Sequence, residues 1–197
     1  PCVLVSNDAS GLPFDNLSSV YTDDRQAARC AMDSLIARGH RNFVIVGGDR
    51  TVSDTSRLRY EGCLQSFRNH AIAYDEELDY QGVRYSCQDG YNATQQLIAT
   101  GRPFTALFAA ADVMAIGAIR ALHDNGLRVP QDVSVMGFDG IELGKYITPS
   151  LSTMEQPVYT IAKETTKLLF DVIAGKKEHE HIVVPGKLII RESTRQI

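Results

Sequence analysis

The stretch Val133-Ser-Val-Met-Gly-Phe-Asp-Gly140 is an apolar strand pattern that stops at a glycine and presents one carboxylate, Asp139, on the turn beyond. Parallel α/β sheets take ligands in the crevice outside the carboxyl ends of their strands, so Asp139 stands where a ligand would. The structural alternative is a loop carboxylate that caps local backbone N–H groups. Enzymatic machinery is not in view. There is no Walker A loop and no G-x-S-x-G elbow, and Gly47-Gly48 lacks the glycine spacing of a dinucleotide fingerprint. The pair His179-Glu-His181 lies in the polar stretch Lys176 to His181. Metal sites need three or four convergent ligands, so a solvated loop is expected there and neither metal nor cofactor is. His40 and His123 each lie near a helix end, where a partial positive charge is favourable. Cys2, Cys30, Cys63 and Cys87 form no Cys-x-x-Cys and read as reduced, mostly buried thiols of a cytoplasmic protein.

These residues must be carried by alternating elements. A helix capped by Asp23 or Asp24 runs through Arg38 with Ala28, Met32, Leu35 and Ile36 inward. It is followed by the continuous apolar run Phe43 to Gly48, expected to be covered on both faces. A helix from Thr55 to Asn69 uses Leu58, Leu64 and Phe67. A weaker strand near Leu78 to Tyr85 precedes a helix capped by Asp89, which buries Ala93, Leu97 and Ile98. Ala106 to Ala110 is a strand, Asp112 caps a helix using Val113, Ile116, Ile119 and Leu122, and Val133 to Gly137 is the strand before Asp139. Such alternation marks βαβ units and a mostly parallel sheet. Beyond it come Leu151 to Met154, a helix from Pro157 to Ala174 with Val158, Ile161, Leu168 and Val172 inward, and strands near His181 to Val184 and Lys187 to Ile190. That helix and the strand Val3 to Val5 are too little to form a second lobe, because one helix cannot cover an open sheet. The remainder is expected upstream of Pro1.

The bulk properties fit this picture. The 197 residues are 44% hydrophobic and 22% charged, with a formal net charge of −4 and scattered basic residues. Such a surface does not itself grip nucleic acid, and no apolar run is long enough to span a bilayer.

Five stretches fall into one pattern: Gly39-His-Arg-Asn-Phe-Val-Ile-Val-Gly-Gly48, Arg57-Leu-Arg-Tyr-Glu-Gly62, Ala111-Asp-Val-Met-Ala-Ile-Gly117, Gly126 to Asp139, and Pro149-Ser-Leu-Ser-Thr-Met-Glu-Gln-Pro157. Together they resemble the effector-binding core of the LacI/GalR family of bacterial transcription repressors. The resemblance implies an α/β, periplasmic-binding-protein-like fold of two doubly wound parallel-sheet lobes with a small ligand in the cleft, the amino-terminal lobe being incomplete in this chain. Residues 1–22 would be the remnant of that lobe, 23–155 the carboxyl-terminal lobe, 156–181 a return to the first and 182–197 the returning strands of the second. A DNA-reading headpiece would lie upstream.

By the same resemblance, Asp139 accepts hydrogen bonds from ligand hydroxyls or ring nitrogens, and its two oxygens can hold a vicinal diol. Arg59 matches the family's ligand-contacting arginine, with a surface or interlobe salt bridge as the alternative. Arg57 points about 200° away around the helix. Thr55 serves the ligand or caps its helix. Tyr85 falls where the family packs an aromatic ring on the ligand face, or is a core-packed strand-end tyrosine. Ser6 and Asn7 stand where relatives often carry a ligand-binding Asp, and Ala111 replaces a polar residue.

The implied function is the ligand-sensing core of a LacI-type regulator, most simply a repressor. It would be a cytoplasmic homodimer that takes a sugar or nucleobase-like effector, meets operator DNA through the headpiece, has no membrane association, and is no enzyme. The alternative is a sugar-binding protein of a transport system. Asp139→Ala and Arg59→Ala are each expected to remove the response to effector while leaving the unliganded fold near its original stability.

Overall fold

The computed structural model describes residues 1–197. In chain order the elements are β1 (Cys2–Val5), β2 (Leu17–Tyr21), α1 (Asp24–Ala37), β3 (Phe43–Gly48), α2 (Asp54–Asn69), α3 (Glu76–Asp79) and β4 (Tyr80–Val83). There follow α4 (Cys87–Ala99), β5 (Ala106–Ala109), α5 (Asp112–Asp124), β6 (Ser134–Asp139), β7 (Ser152–Glu155), α6 (Val158–Ile173), β8 (His181–Val183) and β9 (Lys187–Ile189). They divide into two units, Pro1–Asp23 with Gln156–Lys187, and Asp24–Glu155 with Leu188–Ile197. The chain thus returns to the second unit at Leu188; residues 182–187, expected with the carboxyl-terminal lobe, stay with the first unit because β8 pairs with β2.

The second unit is built on a six-stranded sheet in the order β4-β3-β5-β6-β7-β9, parallel throughout the β4-to-β7 pairings. Every residue of β3 is buried, because both faces are covered. Phe43, Ile45, Phe108, Met136 and Phe138 pack with α1 and α2 on one face. Val44, Val46, Leu107, Val133 and Val135 pack with α4 and α5 on the other.

The helices turn slightly different faces inward from those expected. Helix α2 buries Arg59, Tyr60, Cys63 and Phe67, while Leu58 and Leu64 are half-buried. Helix α5 buries Met114, Ala115, Gly117 and Ala118, leaving Val113 and Ile116 half-buried. The cause is close helix approach through small residues: a Cβ at Gly62 would collide with the Arg25 carbonyl of α1, and one at Gly117 with the Cys87 carbonyl of α4. Large apolar residues mark a core-facing stripe only where helices stand far enough apart to need them. Gly62→Ala should therefore destabilise the protein by about 2 kcal/mol, the usual size of overpacking. The check is a urea melt.

Local caps also differ from expectation. Ser53, not Thr55, caps α2, accepting from the Ser56 amide; Ser86, not Asp89, caps α4, accepting from the Asp89 amide. The strand expected from Leu78 is preceded by the short α3, because Asp75 accepts from the Glu77 amide and starts a helical turn. His40 is buried, with Nδ1 3.0 Å from Thr105 Oγ1 and Nε2 3.3 Å from the Arg195 carbonyl oxygen, and burial lowers its pKa, so the neutral ring is favoured there. Only Cys63 of the four free cysteines is buried; Cys2, Cys30 and Cys87 are exposed, contrary to the expected burial of most of them.

The first unit holds the three-stranded parallel sheet β1-β2-β8, with Val20, Ile161, Leu168 and Val184 as its core. Helix α6 is amphipathic only in part. Val158, expected inward, is exposed, as are Tyr159, Phe170 and Ile173. One helix over three strands is an incomplete lobe. Lys176 to Glu180 form the expected polar loop, with His179 half-buried in it, and the exposed His181 opens β8; their Nδ1 atoms lie 3.1 Å and 2.8 Å from the hydroxyls of Ser18 and Ser19 on β2. No helix is long and apolar enough to cross a membrane.

Candidate ligand-binding site

Arg59 is buried, 4% exposed, and its guanidinium is occupied on three sides. Nε donates to Asp24 Oδ1 at 2.7 Å, Nη1 donates to the Ala110 carbonyl at 2.5 Å, and Nη1 also reaches Asp139 Oδ1 at 3.3 Å. The plane lies 3.7 Å from the centroid of the Phe138 ring. One side chain from α2 thus joins the start of α1, the end of β5 and the end of β6. Asp24 is itself buried. Offered by the sequence with Asp23 as a helix cap, it is the first residue of α1 and the buried counter-charge of Arg59.

Asp139 ends β6 with its side chain 30% exposed, so one carboxylate is shared between Arg59 and solvent. Alternation along β6 puts Met136 and Phe138 toward α1 and α2 and would turn Asp139 toward α5. Its backbone has a φ of 113°, a left-handed conformation that side chains rarely adopt, and its carboxylate meets Arg59. Strain of this kind is worth about 1–3 kcal/mol and clusters at functional sites.

Asp112 is wholly buried beside this turn and is not the cap of α5; the cap position is Ala111. Its Oδ1 accepts from Thr153 Oγ1 at 2.7 Å and its Oδ2 from the Ile141 amide at 2.8 Å. Burial lifts its carboxyl to about 6, the hydrogen bonds from Thr153 and Ile141 pull it down, and Asp139 pushes it up. A carboxyl raised above its ordinary 3.8 gives its full stabilising contribution below that value and loses it as pH rises through about 6, because the native chain keeps a proton that the unfolded chain releases. The parent should therefore gain stability relative to Asp112→Asn as pH falls from 7 to 4. Paired urea melts at the two pH values measure this.

Tyr85 is 41% exposed and its hydroxyl lies 2.8 Å from Ser56 Oγ. It is therefore not a core tyrosine. It lines an open cavity of about 780 Å³ at the ends of β3 and β4 with Asp49, Val52, Ser53, Arg84 and Asp89. Neither Arg59 nor Asp139 lines that cavity. Thr55 lies half-buried in the first turn of α2, its cap role taken by Ser53. Ser6 and Asn7 are exposed after β1 in the other unit; Ser6 has a φ of 62°, and its amide donates to the Val20 carbonyl at 2.9 Å. The next residue, Asp8, accepts from the amide and hydroxyl of Ser10. No group of three His, Cys, Asp or Glu side chains converges as a metal site would require.

A doubly wound parallel sheet with a strained carboxylate at its strand end, and a second parallel sheet in a separate unit, define the class of periplasmic-binding-protein-like domains. Residues 32–194 match the family described as periplasmic binding protein-like domain. The chain is 33% identical over 198 residues to the probable HTH-type transcriptional repressor ExuR of Bacillus subtilis, covering all of this chain and 58% of that protein. It superposes with a TM-score of 0.88 on a LacI family transcriptional regulator from Enterococcus faecium with bound ribose, at 29% identity, covering 100% of this chain and 70% of that one. It also superposes on the transcriptional regulator CelR in complex with cellobiose, with a TM-score of 0.86 at 29% identity, covering 93% and 56%. The chain belongs to the LacI-type transcriptional regulators, as their periplasmic-binding-protein-like domain. It spans about 58% of the length of the ExuR repressor it matches.

Proposed function

We propose that this domain senses a small polar effector, a sugar, and through it controls operator binding by a LacI-type repressor. The observation that carries the reading is Asp139, a strand-end carboxylate in a left-handed conformation, held against the buried Arg59 and still open to solvent. Its carboxylate, 30% exposed, suits a sugar diol, and exposed Tyr85 offers an aromatic face to a pyranose or a nucleobase. Arg59 supports Asp139 through Nη1, and we assign the same ligand to its guanidinium fork. Thr55 adds a hydroxyl from the start of α2; in the first unit, taken by itself, Ser6 and Asn7 are exposed polar groups after β1 that suit a polar ligand. Ribose and cellobiose in the two matched regulators support a sugar, and the repressor name of the matched relative favours regulation over transport.

Control requires that the effector favour one arrangement of the protein over another, since equal affinity shifts nothing. DNA contact is assigned to a segment outside these 197 residues, in a cytoplasmic protein. Homodimer formation is supported by exposed Leu143 and Tyr146 near an apolar groove lined by Ile116, Ile119, Ile147 and Pro149.

The test uses the full-length protein, melted with and without D-ribose, cellobiose and adenine, and then mixed with DNA from upstream of its own gene with the same compounds. A sugar that raises the melting temperature and alters the DNA shift is expected. A protein that binds the sugar and no DNA would belong with transport instead.

A further inference from the structure

The segment after β6 is tied down from the face opposite Arg59. In the β6–β7 pairing Gly137 stands beside Thr153, and Asp139 beside Glu155. A Cβ at Gly137 would collide with the Asp112 carboxylate, so it is the missing side chain that lets Asp112 cross β6 and reach Thr153 on the next strand. Thr153 Oγ1 donates to Asp112 and accepts from the Gly140 amide at 3.3 Å; Asp112 Oδ2 holds the Ile141 amide at 2.8 Å. The two amides following Asp139 are therefore both fixed by one buried acceptor pair. An unpaired buried amide is costly, and a buried carboxylate with two donors has no reason to move.

We propose that Asp112 and Thr153 are positioning residues for Asp139: by holding the Gly140 and Ile141 amides they force the left-handed turn that brings the Asp139 carboxylate to Arg59 and to solvent. Asp139 is thus gripped from both faces of the sheet, by Arg59 through its carboxylate and by the Asp112–Thr153 pair through the backbone that follows. The part of this inference that concerns affinity rests on the reading of Asp139 as an effector ligand.

The test compares Thr153→Val, which keeps shape and removes the hydroxyl, with Thr153→Ser, which keeps the hydroxyl, both in the full-length protein. Crystal structures of the sugar-free variants are the first measurement. In the Val variant Asp139 should leave the left-handed region and move away from Arg59, and in the Ser variant it should stay. An unchanged Asp139 in the Val variant overturns the proposal. The second measurement is binding of D-ribose and cellobiose by calorimetry. Affinity for the sugar that the parent binds should fall on the order of tenfold in the Val variant, the scale of one hydrogen bond to a charged group, and return in the Ser variant. Equal affinity in parent and Val variant also overturns it. A parent that binds neither sugar counts against the sugar reading, and the crystal structures then decide the clamp alone.

Discussion

Arg59→Ala is expected to destabilise the protein by about 3–5 kcal/mol, the cost of removing one partner from a buried ion pair. The expectation from sequence, that the fold would survive this change nearly intact, does not hold once the surroundings of Arg59 are known. Asp24 would be left buried with its closest cation gone, the Ala110 carbonyl would lose a donor at the end of β5, and the Phe138 ring would lose the plane stacked on it. Each loss falls in the layer where α1, α2, β5 and β6 meet. Asp24→Asn added to Arg59→Ala should recover part of the loss, because the stranded charge is then removed. Chemical denaturation of parent, single and double variants measures both effects. A single variant within about 0.5 kcal/mol of the parent, the range of ordinary surface substitutions, would show that Arg59 is not the tie between these elements. Any loss of sugar binding in Arg59→Ala has to be read beside this loss of stability.

Much of the architecture was legible because parallel strands covered on both faces must be apolar at every position. Phe43 to Gly48 and Ala106 to Ala109 announce themselves in that way, and both lie within a residue of where they were expected. The helix faces were less legible. Periodicity follows large apolar residues, whereas α2 and α5 approach their neighbours through Gly62 and Gly117 and rotate Leu58 and Ile116 toward the edge. Caps failed for a related reason. Ser53 and Ser86 stand just ahead of Thr55 and Asp89, and any of these can accept an amide, so spacing alone does not choose among them. At the site, Asp139 was visible from its place after an apolar strand. Its surroundings were not: Asp112 and Thr153, 27 and 14 residues away in sequence, meet its turn, and Asp24, 115 residues away, meets its partner Arg59, only through the tertiary fold. The one local signal was Gly137, a glycine within a buried strand, which often marks the close approach of another group.

The sharpest separation of structural from functional roles should come from Asp139→Ala set against Asp139→Gly. Glycine inside a strand normally destabilises by roughly 0.5–1 kcal/mol relative to alanine. At a φ of 113° the order should reverse, since alanine keeps the left-handed strain that glycine escapes, and strain of that kind costs about 1–3 kcal/mol. Both variants lose the ion pair to Arg59 equally, so that term cancels in the comparison, and Asp24 remains to balance the arginine in each. Asp139→Gly should thus be the more stable of the two by about 1 kcal/mol or more, on the low side of that strain range. Both should nevertheless bind sugar about 10- to 100-fold more weakly than the parent, because each lacks the charged acceptor. Urea melts and calorimetry with the sugar that shifts the parent give the two quantities independently. An alanine variant as stable as the glycine variant would remove the case for strain at this turn. Undiminished affinity in both would remove Asp139 from the ligand contacts. If the expected pattern holds, the backbone at this position favours glycine, and what aspartate adds there against that strain is its carboxylate, given to Arg59 and to the ligand.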